Sequence, residues 1–308
     1  MTLPALRERG YPDSIVIGSL AGAGTLGLLI PPSLIMIVYG VAADVSITRL
    51  FAAGVLPGLL VAALMMGYIA LWSLFNRQHV PPPDPATTLR QKLAASRSLI
   101  PVVLLILGVL GSIYSGVATA TEAAGVGVVG ALVLSAAQGS LSRESFIASL
   151  LGATRLFCMI ALILAGAAFL TLSMGYLGLP RQLAEWIGSL GLSPLMLLMA
   201  LMVFYIALGC FLDGISLIVL TMGVVLPIVQ IAKIDLVWFG IFVVLVVEMA
   251  QITPPVGFNL FVLQGMTGKS LPWIARAALP MFLLLVLAVL LIYWFPGIVT
   301  WLPNRIMG

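Results

Sequence analysis

Charge is what this sequence has least of: Asp, Glu, Lys and Arg make up 8% of its 308 residues, against roughly 25% in a soluble domain. So few ionised groups cannot cover a water-facing surface, which excludes the soluble globular classes. Histidine occurs once, as His79, and cysteine twice, as Cys158 and Cys210. That is too little for a disulfide framework or a metal site of thiolate and imidazole. We read His79 as solvated in a polar loop and both cysteines as packing residues within apolar stretches. No paired acids, His-rich set or nucleophile with a base beside it is present, which argues against an intramembrane enzyme. Basic patches interleaved with aromatics are also missing, so the formal charge of +4 points to no nucleic acid partner. On a membrane chain, scattered cationic loop residues mark the cytoplasmic side instead. Nothing at the start resembles a secretory signal sequence.

Apolar residues, at 62%, are what the chain does have. Uncharged stretches cover 14–43, 50–76, 98–121, 123–142, 156–180, 186–212, 214–232, 249–268 and 277–304, and about 20 residues suffice to cross a bilayer. An all-α, multi-pass integral membrane protein follows. The loop 76–97 carries Arg77, His79, Arg90, Lys92 and Arg97 around the stiff polar linker Pro81-Pro82-Pro83-Asp84-Pro85, so it is expected in the cytoplasm. Counting crossings from it puts Arg7, Arg9, Arg143, Arg155, Lys269 and Arg276 on that same side. Residues 180–190, with Arg181, Glu185 and Trp186, read as an amphipathic segment in the outer interface.

Proline is placed twice in one pattern. Ile30-Pro31-Pro32-Ser33 and Thr253-Pro254-Pro255-Val256 each interrupt an apolar run, and Pro4 and Pro57 recur as Pro227 and Pro280 at the same shift of 223 residues. Four of the five prolines in residues 1–57 recur in this way, which identifies an internal repeat. The crossing count runs the broken helix 14–43 outward and the broken helix 236–267 inward, so the two copies are inverted. Broken helices in corresponding places of inverted repeats point to a transporter site. Between 193 and 231, Leu212-Asp213-Gly214-Ile215-Ser216 reads as the tip of a re-entrant hairpin, because an Asp-Gly turn between apolar arms needs water or protein partners.

Four segments result. Residues 1–75 hold the remnant of the first repeat, with the broken helix 14–43 and the helix after it; 76–97 is the cytoplasmic linker. Residues 98–192 hold scaffold helices and the amphipathic segment, and 193–303 the hairpin, the broken helix 236–267 and the final helix. The second copy is preceded by its hairpin, whereas the first begins at Met1, and the counterpart of the hairpin is missing. Met1 is therefore expected to be an internal methionine of an N-terminally truncated chain, and the first break to be without its hairpin.

The chemistry follows from the breaks. A proline pair removes backbone donors and leaves carbonyl oxygens free, hard ligands for a small cation. Thr253 adds a hydroxyl and Asn259 an amide at the second break, and Thr25 and Ser33 add hydroxyls at the first. Helices resuming after Pro32 and Pro255 present amides and a positive dipole end to a substrate carboxylate. The blander reading is that the prolines only kink packed helices. Asp213 is open to two roles, part of a cation site or cap of the amides that follow, Ser216 included. Glu122, after Thr119 and Thr121, reads as a helix cap. Glu248, in an otherwise apolar helix, is costly unless paired or wet and is expected to line the site. The candidate substrate- and ion-binding set is therefore Thr25, Pro31, Pro32, Ser33, Asp213, Gly214, Ser216, Glu248, Thr253, Pro254, Pro255 and Asn259, with Asp213, Gly214 and Thr253 as candidate sodium ligands.

Several of these stretches resemble a known family. Gly10-Tyr11-Pro12, Ala23-Gly24-Thr25-Leu26-Gly27-Leu28-Leu29-Ile30-Pro31-Pro32-Ser33, Tyr39-Gly40, Thr119-Ala120-Thr121-Glu122-Ala123-Ala124, Phe211-Leu212-Asp213-Gly214 and Thr253-Pro254-Pro255-Val256-Gly257-Phe258-Asn259-Leu260-Phe261 are similar to the large membrane subunit of tripartite ATP-independent periplasmic (TRAP) transporters. The resemblance runs along essentially the whole chain. It implies an elevator-type secondary transporter of small organic acids in the bacterial inner membrane, with no cofactor and with sodium as the coupling ion. It also implies a small membrane subunit and a periplasmic substrate-binding protein as partners. A one-component sodium-coupled anion carrier of related architecture is the alternative, and it would work without a binding protein.

Overall fold

A computed structural model describes residues 2–82, 88, 91, 96–255 and 257–307. Met1, Val256 and, in the expected linker, Pro83, Asp84, Pro85, Arg90 and Lys92 lie outside the described residues. The described residues form α-helices with short 3-10 turns and no strand: α1 Thr2–Glu8, α2 Asp13–Leu29, α3 Leu34–Ala43, α4 Ile47–Phe75, α5 Ile100–Tyr114, α6 Ala120–Ala137 and α7 Arg143–Tyr176. There follow α8 Leu179–Ser189, α9 Pro194–Gly209, α10 Gly214–Ile231, α11 Leu236–Gln251, α12 Phe258–Thr267, α13 Leu271–Trp294 and α14 Gly297–Met307. Five of these are long and apolar enough to cross a membrane, six if the pair α2 and α3, bent by 44° at the first double proline, counts as one span.

Local chemistry sets the helix starts. The Ser193 hydroxyl accepts from Met196 N at 3.3 Å and the Asp235 carboxylate from Trp238 N at 2.8 Å, each supplying an acceptor to an otherwise orphaned amide. Thr119 and Glu122 form a reciprocal capping box, the cap expected of Glu122. Ser142 and Ser145 exchange side-chain and backbone bonds in the same manner. With no breaker after them, α7 begins at Arg143, earlier than the apolar stretch 156–180 suggested. At the other end, Pro296 has no amide to donate, and the last expected span divides there into α13 and α14.

The repeat is visible in the helix boundaries. Shifting α2, α3 and α4 by 223 residues lands their starts within one residue of the starts of α11, α12 and α13. Both short helices end in a left-handed residue, Asp44 (φ 53°) and Gly268 (φ 68°). The Pro31-Pro32 and Pro254-Pro255 bonds are both cis.

The chain divides into two compact units. The larger comprises residues 1–81 and 163–308, and its centre is α11, buried from Trp238 to Ala250. In this unit α2 of the first copy packs on α13 of the second, and α4 on α11. Lipid tails are as apolar as leucine, so close contact and hydrogen bonds hold such helices rather than withdrawal from water. Gly22 shows the device: a Cβ there would stand 2.9 Å from the Met281 side chain. Tyr39 donates to the Leu236 carbonyl at 2.7 Å and Trp238 Nε1 to that of Ile292 at 3.1 Å, tying the start of α11 to α3 of the first copy and to α13. Arg7 and Lys269 meet on one acid, Asp13, at 2.8 and 3.2 Å, so two basic residues expected on the same membrane side are together. The amphipathic reading of 180–190 matches α8, which packs on α10 with Ala184 buried and Arg181, Glu185 and Trp186 exposed.

The smaller unit, residues 82–162, pairs α5 with α6 around buried Ile113 and Ala123. Its other side chains are mostly exposed. Among them is Cys158, expected as a packing residue but exposed. Cys210 is buried.

Candidate functional site

The arms α9 and α10 are joined midway by a buried 2.9 Å hydrogen bond between the Tyr205 and Thr221 hydroxyls, and α10 alone is long and apolar enough to cross a membrane. At the tip between them Asp213 caps α10: one carboxylate oxygen, Oδ2, accepts from the amides of Ile215 (3.1 Å) and Ser216 (3.3 Å). Oδ1 takes no part in these bonds. Ser216 serves the tip through its amide. Gly214 is buried, and a Cβ there would stand 2.7 Å from Val247 and 3.0 Å from Ile35. Only glycine lets the tip settle on α11 and α3 together.

The second break receives this tip. The Cys210 thiol donates to the Pro254 carbonyl at 3.1 Å. Beside it, a cavity of about 10 Å³ is bordered by Asp213, Gly214, Val247, Gln251 and Phe258. That is room for about one water, far too little for an organic substrate and suited to a bare small cation. Gly257, at φ 29°, lets the carbonyl oxygens of Gln251 and Thr253 close in, to 3.1 and 2.7 Å from where its Cβ would be. Thr253 Oγ1 donates back to the Met249 carbonyl at 2.7 Å, which leaves its lone pairs available. Pro254 and Pro255 are exposed at the surface of the break.

At the first break Pro31 is buried and Pro32 exposed. The buried Ser33 hydroxyl donates to the Leu28 carbonyl and accepts from Met36 N at 3.3 Å, so it caps α3. That cap leaves the first amides of α3 without helical partners. Helix α3 packs on the hairpin arm α10. The tip thus also reaches the helix that follows the first break, with Ile35 as the link.

Two further pairs lie deeper. Thr25 is fully buried, donates to the Gly22 carbonyl at 2.8 Å and stands beside the carboxyl of Glu248. Asn259 faces Gly24, and its buried Nδ2 has no hydrogen-bond partner. The candidates therefore fall into a tip cluster (Asp213, Gly214 and the second break, with Ser33 and α3 adjoining) and an interior contact, Thr25 with Glu248. Sequence reasoning missed Gln251 and Gly257. Gln251 was legible as a polar residue one turn after Glu248 in an apolar helix; Gly257 became meaningful only with its backbone conformation. A larger cavity, about 890 Å³, lies among α3, the later part of α7 and α10. No charged side chain borders it, so its size does not make it the site of an anion.

The chain matches, over residues 1–298, the family described as Tripartite ATP-independent periplasmic transporter, DctM component. It is 36% identical over 305 residues to a C4-dicarboxylate TRAP transporter large permease protein of Pseudomonas aeruginosa, covering 99% of this chain and 71% of that one. A protein of the same description from Vibrio cholerae is 31% identical over 329 residues, covering 100% and 72%. A sialic acid TRAP transporter permease protein of Haemophilus influenzae is 28% identical over 308 residues, covering 100% and 50%.

Proposed function

Because this chain belongs to the DctM-component family of tripartite ATP-independent periplasmic transporters, we propose that it imports small organic acids with sodium as the coupling ion. It is a transport subunit of the bacterial inner membrane, not an enzyme, and works with a small membrane subunit and a periplasmic binding protein. The relatives named for C4-dicarboxylates and for sialic acid share a carboxylate as the group to be recognised. The observation that carries the sodium reading is the water-sized cavity where Asp213-Gly214 closes on the second break. In this reading sodium sits among Asp213, the Gly214 backbone and Thr253. The substrate carboxylate is held at the amide-rich starts of α3 and α12, where the helix dipole is positive. One hairpin tip touches both, so loading of the ion and of the anion are felt by the same element. Alternation between the two membrane faces by an elevator motion of the repeats completes the proposal.

The test is uptake of a radiolabelled four-carbon dicarboxylate into proteoliposomes holding the complete transporter. Uptake is expected to need both an inward sodium gradient and the binding protein. Uptake that survives collapse of the sodium gradient would refute the coupling, and uptake without the binding protein would make this a one-component carrier.

A further inference from the structure

Glu248 is the one acid or base among the buried side chains of the described residues. The hydroxyls that share its burial, Thr25, Ser33 and Thr221, all have hydrogen-bond partners; neither carboxyl oxygen of Glu248 has one. Thr25 and Glu248 are also 223 residues apart, so each is the other's counterpart in the repeat. A residue touches its own counterpart only where the axis relating two copies passes between them. The contact therefore marks that axis, between α2 and α11, the two helices that run into the double-proline breaks.

The chemistry of the contact is asymmetric. Thr25 gives its single hydrogen to the Gly22 carbonyl and has only lone pairs left for Glu248. An ionised carboxylate there would lose its water in a dry interior, a cost that burial makes the larger effect and that Thr25, the polar side chain beside it, offsets only in part. A carboxylic acid has the one hydrogen the contact lacks. The titratable groups on helices packed against α11 are Asp13 on α2, Tyr39 on α3, Arg49 and Tyr68 on α4, Tyr205 on α9, Arg276 and Tyr293 on α13, and Arg305 on α14. The polar neighbour of Glu248 is Thr25. Several of those titratable groups are engaged elsewhere: Asp13 with Arg7 and Lys269, Arg49 with Asn304, Tyr39 with Leu236, and Tyr205 with Thr221. A sodium ion would need several oxygens and space, and Glu248 borders neither the tip cavity nor the large apolar one. A proton needs neither.

We propose that Glu248 is a proton-binding site of the transport cycle. Its carboxyl holds a proton while α2 and α11 are packed together, and returns it to water when their contact opens. One O–H bond is made to a carboxylate oxygen from hydronium and later broken to water, with no electron exchanged. The inference rests on the transport reading above and adds a proton to the sodium at the tip; Thr25 and Glu248 are no part of that sodium set.

The experiment uses the complete transporter in proteoliposomes at a fixed sodium gradient and clamped membrane potential, comparing wild type with Glu248→Gln, which keeps shape and neutrality. The ratio of wild-type to Glu248→Gln uptake is expected to change several-fold between about pH 5 and about pH 8, the range over which buried acids and histidines alter charge. A constant ratio overturns the proposal. The second measurement needs no transport: infrared spectra of the protein in lipid should show a protonated-carboxyl C=O band that is lost in Glu248→Gln and weakens in wild type during turnover. Absence of that band, or a band unchanged in turnover, overturns it equally. Loss of sodium dependence in the same vesicles would sink the sodium reading alone and leave the infrared result standing.

Discussion

Gly214 carries more of this account than any charged residue. Its Cβ-less backbone is what brings the hairpin tip against both Val247 and Ile35. Adding a methyl group there forces the tip off the second break, and overpacking of this kind costs about 1–3 kcal/mol, or a factor of about 5 to 150 in an equilibrium. Gly214→Ala is expected to raise the half-saturating sodium concentration for uptake by about fivefold or more, with the protein still folded; unchanged sodium dependence would show that the tip contact is unrelated to the ion. Asp213 separates charge from capping. Asp213→Asn keeps an acceptor for the Ile215 and Ser216 amides and is expected to fold as wild type while needing more sodium. Asp213→Ala should in addition lose about 1 kcal/mol of stability, read from thermal unfolding. If Asn transports with wild-type sodium dependence, Asp213 is a cap and nothing more.

Each broken helix is legible as an element because proline acts locally. The missing amide and the ring clash act whatever surrounds them, so the breaks at Pro31-Pro32 and Pro254-Pro255 and the cap at Thr119 and Glu122 are read from the chain, whereas the split at Pro296 and the caps at Ser193 and Asp235 were missed although their causes are equally local. What could not be read is which elements touch. That Gly214 meets Ile35, that Cys210 reaches the Pro254 carbonyl, and that Thr25 meets its own counterpart are long-range pairings without a periodic signal. Apolar residues such as Ile35 and Val247 look alike in a sequence that is apolar throughout. The start of α7 was misjudged for a related reason: the crossing length was counted from hydropathy, whereas the Ser142 and Ser145 cap fixed the start. Within the hairpin, the Tyr205 and Thr221 bond is the polar link between the arms. Tyr205→Phe leaves Thr221 bonded to the Leu217 carbonyl and is expected to cost about 1 kcal/mol, seen as a lower melting temperature in detergent. An unchanged melting temperature would mean that packing alone holds the arms.

At the scale of the whole molecule, two statements have to agree: the membrane sidedness deduced from basic loops and the packing of two copies into one unit. The meeting of Arg7 and Lys269 on Asp13 satisfies both, since residues far apart in sequence but placed on one side end up together. In a Cys158→Ala background, with Cys210 buried, Lys269→Cys is expected to react with a membrane-impermeant maleimide in inside-out vesicles and not in intact cells; the reverse pattern would invert the topology. The central claim remains that sodium binds where the Asp213-Gly214 tip closes on the second double-proline break. Its most direct test is the structure of the complete transporter determined once in sodium and once in choline. The account predicts density in the cavity bordered by Asp213, Gly214 and Gln251 in sodium and none there in choline. Sodium-dependent density found only elsewhere, with this cavity unchanged between the two, would contradict it.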